Sequence, residues 1–244
     1  MKIIIDFRYN AQKYYIKEKK IMSTNNSLSR FANNIVSISA RNEKLGDIKS
    51  VSLPAVKTCN PSAPCFKYCY ARKLAAYRST VGKSYENNFN VLNSDRDAYF
   101  AQIKAVAFME RVFRYHVSGD ILDEDYFRRM IKLAEEVPTC TFFTYTKQFA
   151  IVNNVVSERK ASKKRALPKN LVILFSGWGK DFRPDNPYKL RTAEVVFRGE
   201  EKPEAWFQCP EQVDKSKKWK CTDCFVHGTG CFDPKIKTIA FQQH

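Results

Sequence analysis

The sequence predicts an α/β fold: a parallel sheet closed fully or partly into a (β/α) barrel, with a cysteine-rich, metal-binding appendage at its C-terminal end. Three observations point there. The middle of the chain alternates strand-like and helix-like patterns. The stretch "NLVILFSGWG" holds five apolar residues in a row between Asn170 and Ser176-Gly177, which suits a parallel strand covered on both faces. From Glu200 onward periodicity fades and cysteines cluster, the texture of a segment organised by ligands rather than by a core. These divide the chain into an N-terminal extension (1–50), an α/β core (51–199) and a cysteine-rich segment (200–244).

Taken in order, "KIIIDF" reads as a short strand, and the polar stretch after it is poorly patterned. Val51 to Leu53 reads as a strand entering a loop that Pro54, Pro61 and Pro64 keep irregular, because proline lacks an amide donor and restricts its predecessor. Tyr70 to Tyr77 follows as a helix, and Asn93 to Met109 as another, capped by Ser94 or Asp95. In "VFRYHVSGD", Phe113, Tyr115 and Val117 alternate with Arg114, His116 and Ser118, the period of a strand that Gly119 ends. The clearest helix is "LDEDYFRRMIKLAEEV". Phe127, Met130, Ile131, Ala134 and Val137 recur at helical spacing, Asp123 is the expected N-cap, and Leu122 can staple to Phe127. "CTFFTYTK" is rich in aromatic and β-branched residues and reads as a strand. Phe149 to Lys160 reads as a helix, and "IKTIAFQQH" as a last strand returning to the main body.

The 244 residues carry 42 Lys and Arg against 25 Asp and Glu, a formal charge of +17 that favours polyanionic partners such as nucleic acid or nucleotides. The alternative is a solvated surface, with "KASKKRALPK" and "DKSKKWK" holding much of the excess. No apolar run is long enough to span a bilayer, and the opening "MKIIIDFRYN" is too short and too soon polar for a signal peptide. A cytoplasmic location is expected, and a reducing one leaves thiols free.

The eight cysteines fall mainly in two groups. Cys209, Cys221, Cys224 and Cys231 make a quartet around a C-x-x-C pair, suited to zinc or an iron–sulfur cluster, with His227 as an alternate ligand. Cys59, Cys65 and Cys69 make a triplet. Three thiolates on a [4Fe–4S] cluster leave one iron open, as a catalytic centre requires; zinc completed by a distant His or Asp is the other reading. Cys140 opens a strand and reads as a buried small hydrophobe. The loop holding the triplet follows a strand and so belongs at the carboxyl edge of the sheet, where α/β enzymes place their sites. His116, Ser118 and Asp120 are pocket candidates on one polar strand face; the competing reading is the solvent side of an edge strand. Tyr145 and Lys147 end the next strand, Ser176 and Trp178 the one after. Three polar strand ends point to a single rim site. "SGWGK" lacks the spacing of a phosphate-binding loop, and with three histidines a multi-histidine metal centre is excluded.

"LPAVKTCNPSAPCFKYCYARK", "RYHVSGD", "YFRRMIKLAEEVPTCTFFTYTK", "NLVILFSGW" and the closing cysteines together resemble the phage-associated gene product 88 family. That resemblance implies a phage or prophage origin, hence the host cytoplasm, and supplies no activity. A more distant likeness is to radical S-adenosylmethionine enzymes, which fold as full or partial (β/α) barrels with a three-cysteine cluster loop after the first strand. It implies S-adenosylmethionine on the open iron, an electron donor, and a second [4Fe–4S] cluster or zinc at the quartet. Tyr68 then holds the aromatic position before the last cysteine, and Ser118, Gly119, Asp120 and Ser176 contact the cofactor. His116, Ser118, Asp120, Tyr145 and Lys147 position cofactor or substrate. The spacing departs from that superfamily: five residues then three, against three then two. The competing function is a non-enzymatic, zinc-stabilised nucleic-acid-binding protein, with aromatic residues at 14% of the chain for base stacking.

Overall fold

The computed structural model describes residues 34–213 and 219–243. The strand expected at "KIIIDF" and most of the N-terminal extension lie outside them. Two short strands open the described chain, β1 (Ile38–Ser39) and β2 (Lys49–Val51). A proline-started 3₁₀ turn at Pro64–Tyr68 leads into α1 (Tyr70–Tyr77), α2 (Ser79–Ser94) and α3 (Arg96–Ala107). Then strand and helix alternate: β3 (Val112–Tyr115), α4 (Glu124–Glu136), β4 (Thr141–Thr146), α5 (Phe149–Ala161) and β5 (Leu171–Ser176). The remainder is β6 (Arg191–Val196), β7 (Phe207–Gln208), α6 (Pro210–Val213), α7 (Cys221–Val226) and β8 (Thr238–Gln242).

The strands form one eight-stranded sheet in the order β1-β2-β3-β4-β5-β6-β8-β7. Only the β1–β2 pair is antiparallel. The period-two rule sorts its side chains. Phe113, Tyr115, Phe142, Leu171, Ile173 and Phe175 face helices α2 to α5 in the main core. Val112, Phe143, Leu174, Ala193 and Ile239 face the opposite way, toward Leu45, Ile48, Phe225, Phe232 and the C-terminal cysteines.

The sheet is open, which corrects the barrel expectation. β1 and β7 are unpaired edges of the described sheet. The physical reason is in the connections. The long helical crossovers stop after α5: β5 reaches β6 through an irregular loop, and the later helices α6 and α7 are only four and six residues long. The face a barrel would turn inward is covered instead by the α7 segment. Cys221 N donates to Lys44 O at 3.0 Å, and Thr222 Oγ1 to Leu45 O at 2.8 Å. The C-terminal cysteines are therefore part of a packed second layer and not a metal-binding appendage.

Asp123 shows how one residue fixes a helix. Its Oδ1 accepts from Tyr126 N at 2.8 Å, and its carboxylate takes both guanidinium nitrogens of Arg96 at 2.9 Å. Asp123→Ala is expected to cost about 1–2 kcal/mol, mostly from the lost cap, since the ion pair is partly exposed and screened. Asp123→Asn keeps the cap and should recover most of that in urea unfolding. Equal losses for the two variants would show that capping is not the cause.

Candidate functional site

The carboxyl edge of β3, β4 and β5 gathers one polar cluster, built from the loop that precedes it. Leu53 N donates to Ser118 O at 3.0 Å, and Thr58 Oγ1 donates to Pro54 O at 3.0 Å while accepting from Asp120 N at 3.1 Å. Asn60 Nδ2 donates to Lys147 O at 3.0 Å. The loop after β2 is thereby clamped across the ends of β3 and β4. Gly119 makes the closest approach. It has φ +80°, and a Cβ there would sit 2.8 Å from Leu53 O.

Asp120 is buried, and its carboxylate accepts from Ile121 N at 2.7 Å and Lys147 N at 2.8 Å. Burial pushes its pKa up to about 6, against the pull of those bonds, of Thr146 and of the Lys147 charge. Lys147 Nζ reaches over the end of β5. It donates to Ser176 O at 3.0 Å and lies 2.5 Å from Ser176 Oγ, with the Trp178 ring centroid 5.8 Å away. Burial lowers the pKa of this amine, while Cys65, Asp120, Glu194 and Cys59 act to raise it. The Glu194 carboxylate lies against Gly177, where a Cβ would be 2.0 Å from Oε2, and burial raises its pKa.

Of the residues expected at a rim, Asp120, Lys147 and Ser176 come together, with Trp178 beside them. Ser118 is buried next to them, and its Oγ has no partner among the described residues. His116 and Tyr145 lie elsewhere. His116 has φ +58°, which turns its side chain off the strand's alternation and toward α4. Its Nε2 pairs with Tyr126 Oη at 3.0 Å, Nδ1 is 3.5 Å from Thr144 Oγ1, and burial drops its pKa to about 3. Arg114, His116 and Ser118 are therefore not one polar row: the Arg114 guanidinium stacks 4.7 Å from the Tyr145 ring on the opposite face. There Tyr145 Oη pairs with Cys231 Sγ at 2.7 Å. Glu194 and Thr58 escaped the sequence reading. A lone acid among apolar neighbours in "TAEVV" was the available signal for the first; Thr58 left none.

The cysteines do not behave as ligands. Among the described residues no group of three or more His, Cys, Asp or Glu side chains is placed to hold a metal ion. This overturns the [4Fe–4S] cluster at Cys59, Cys65 and Cys69, and the zinc or second cluster at Cys209, Cys221, Cys224 and Cys231. S-adenosylmethionine on an open iron, the electron donor and a zinc-stabilised scaffold fall with them, and so does the cofactor position of Tyr68. The physical reasons are local. Cys69 Sγ caps α1, accepting from Arg72 N at 3.4 Å. Burial raises Cys59 to about 11 and Cys65 likewise, so both stay protonated thiols facing Asp120 and Lys147. In the quartet Cys224 Sγ accepts from Trp219 Nε1 at 3.1 Å, and burial holds Cys221 at about 12 and Cys209 at about 11. Cys140 is buried, as its apolar reading expected.

Beside the rim lies a second feature. From Ile48 to Tyr85 the chain has no acidic residue. Within that span Lys67, Arg72, Lys73, Arg78 and Lys83 are exposed. So are Tyr68 at 67%, Tyr70 at 59% and Tyr77 at 88%. Among the described residues none of these five cations sits in a salt bridge, whereas Arg96, Arg128, Arg129 and Arg159 on α3 to α5 are all paired with acids. Tyr70 Oη donates to Val117 O at 3.1 Å, which ties this face to the end of β3.

No helix among the described residues is long and apolar enough to cross a membrane. No curated protein and no solved structure matches the chain, and the likeness to radical S-adenosylmethionine enzymes finds no support. Residues 17–240 match the family model described as Gene product 88, and with most of its length covered the chain belongs to that phage-associated family.

Proposed function

We propose that the protein binds single-stranded nucleic acid on the face running from Lys67 to Lys83. One observation carries this: three exposed tyrosines interleaved, in an acid-free stretch, with five cations that form no salt bridge among the described residues. Each tyrosine offers a ring on which any base can stack, a contact worth about 1–3 kcal/mol. The cations track the phosphates and release counterions on binding. A solvated surface would account for the cations alone. It gives no reason for tyrosines to stand among them, since an aromatic ring left in water forgoes the free energy of its burial.

Fluorescence anisotropy with a labelled oligothymidine tests the reading. Binding should weaken steeply with salt. The pair Tyr68→Ala and Tyr77→Ala should weaken it at least about tenfold at fixed salt. Arg72→Ser with Lys73→Ser should reduce the slope of log affinity against log salt by about 1.4. Salt-independent binding, or tyrosine variants that bind as the parent does, would refute it.

A further inference from the structure

The geometry points to a second activity at the rim: we propose that Ser176 is a nucleophile with Lys147 as its general base, acting on an uncharged acyl ester. This stands apart from the nucleic-acid reading, which uses a different surface.

Lys147 Nζ is held by two contacts to one residue, 3.0 Å to Ser176 O and 2.5 Å to Ser176 Oγ. The carbonyl can only accept, so it fixes one N–H. In the neutral amine the remaining lone pair is then free to take the hydroxyl proton, the relation a nucleophile and its base require. Both residues are half-buried at the rim. The Trp178 ring stands over the amine on one side. Ser176 ends β5 and Lys147 follows β4, so the pair sits at the sheet edge on rigid elements.

The surroundings select the substrate. Asp120 and Glu194 flank the amine, Cys59 and Cys65 face it from the loop, and Arg183 acts on Glu194. With carboxylates on two sides, a phosphodiester or free acid is repelled, whereas a neutral ester is not. In the step, Oγ bonds to the ester carbonyl carbon as its proton passes to Lys147 Nζ. The C–O bond to the alcohol breaks, and Lys147 returns that proton to the departing oxygen. Water then repeats the sequence on the acyl-serine, releasing the acid and restoring the hydroxyl.

The test uses the full chain, a fluorophosphonate probe mapped by mass spectrometry, and p-nitrophenyl butyrate turnover. A single adduct on Ser176 is expected, together with butyrate release that Ser176→Ala abolishes. Lys147→Arg keeps the N–H donors but, always protonated, cannot act as a base, so labelling and turnover should fall at least about 100-fold while the fold persists by circular dichroism. If that variant does not fold, the parent's labelling rate decides: it should rise with pH and level off below the ordinary lysine value. No adduct on the folded parent, an adduct on Cys65 in place of Ser176, equal labelling of Lys147→Arg, or a flat pH profile would each overturn the proposal. Oligothymidine binding by the same samples reports separately on the other surface.

Discussion

Acid should unfold this protein chiefly through His116, and His116→Asn should remove much of that sensitivity. The imidazole is buried and neutral, with a pKa of about 3 against an ordinary 6.5. Between those values the unfolded chain binds a proton that the folded chain refuses. The stability this histidine contributes is therefore complete above pH 6.5 and is lost as pH falls toward 3, on the order of 4 kcal/mol in total. Asp120 works in the opposite direction. Its pKa of about 6 lies above the ordinary 3.8, so the folded state takes up its proton first and stability falls as pH rises through that window. The two effects oppose each other between about pH 4 and 6, and the decline should be steepest below pH 4, where the histidine acts alone. Asparagine tolerates the left-handed backbone at this position and does not titrate. His116→Asn should be about 1–2 kcal/mol less stable at pH 7, from the lost partner of Tyr126, yet show a much shallower loss toward pH 3. Urea midpoints from pH 3 to 7 measure both. A parent curve flat below pH 4 would refute the role of His116, and a variant with the parent's slope there would assign the acid sensitivity elsewhere.

Gly119→Ala should cost about 3 kcal/mol and loosen the rim with it. The penalty has two parts. A left-handed backbone charges any β-carbon about 1–2 kcal/mol. Here that carbon also meets Leu53 O at 2.8 Å and Thr58 Oγ1 at 2.6 Å, atoms held by the clamp between the β2 loop and the end of β3. Gly199 separates the parts, because at φ +81° it has nothing within 4 Å of the added carbon. Gly199→Ala should lose only the backbone share, about 1–2 kcal/mol. If the two alanines cost the same, the loop does not press on Gly119 and the clamp contributes little.

Much of the architecture was written in local patterns. The spacing of Phe127 to Val137 and the carboxylate of Asp123 announced α4, Asp95 capped α3 as read, and the apolar run from Leu171 became a strand covered on both faces. Elements with mixed signals were missed. α2 has no acid in its first turn and carries Gly82, and β7 is two residues long. Sheet closure was illegible, because it depends on connections with no periodicity. The rim was half legible: polar residues at strand ends drew attention to Asp120, Lys147 and Ser176, but alternation could not foresee that His116 turns away. The cysteines misled most. Spacing along the chain says nothing of where sulfur atoms point, and here burial, Trp219, Tyr145 and the start of α1 engage them singly.

The hydrogen bond from Thr222 to Leu45 spans 177 positions of the chain. During synthesis the strands up to β6 can assemble against their helices while the sheet's other side is covered only by Leu45 and Ile48, because the rest of its cover has not yet left the ribosome. For that interval Leu174 and Ala193, whose neighbours are Cys209, Cys231 and Ile239, face water or whatever apolar surface is nearest. The nascent protein should therefore lean on chaperones late in translation, and truncation before Cys221 should yield aggregates rather than a smaller folded protein.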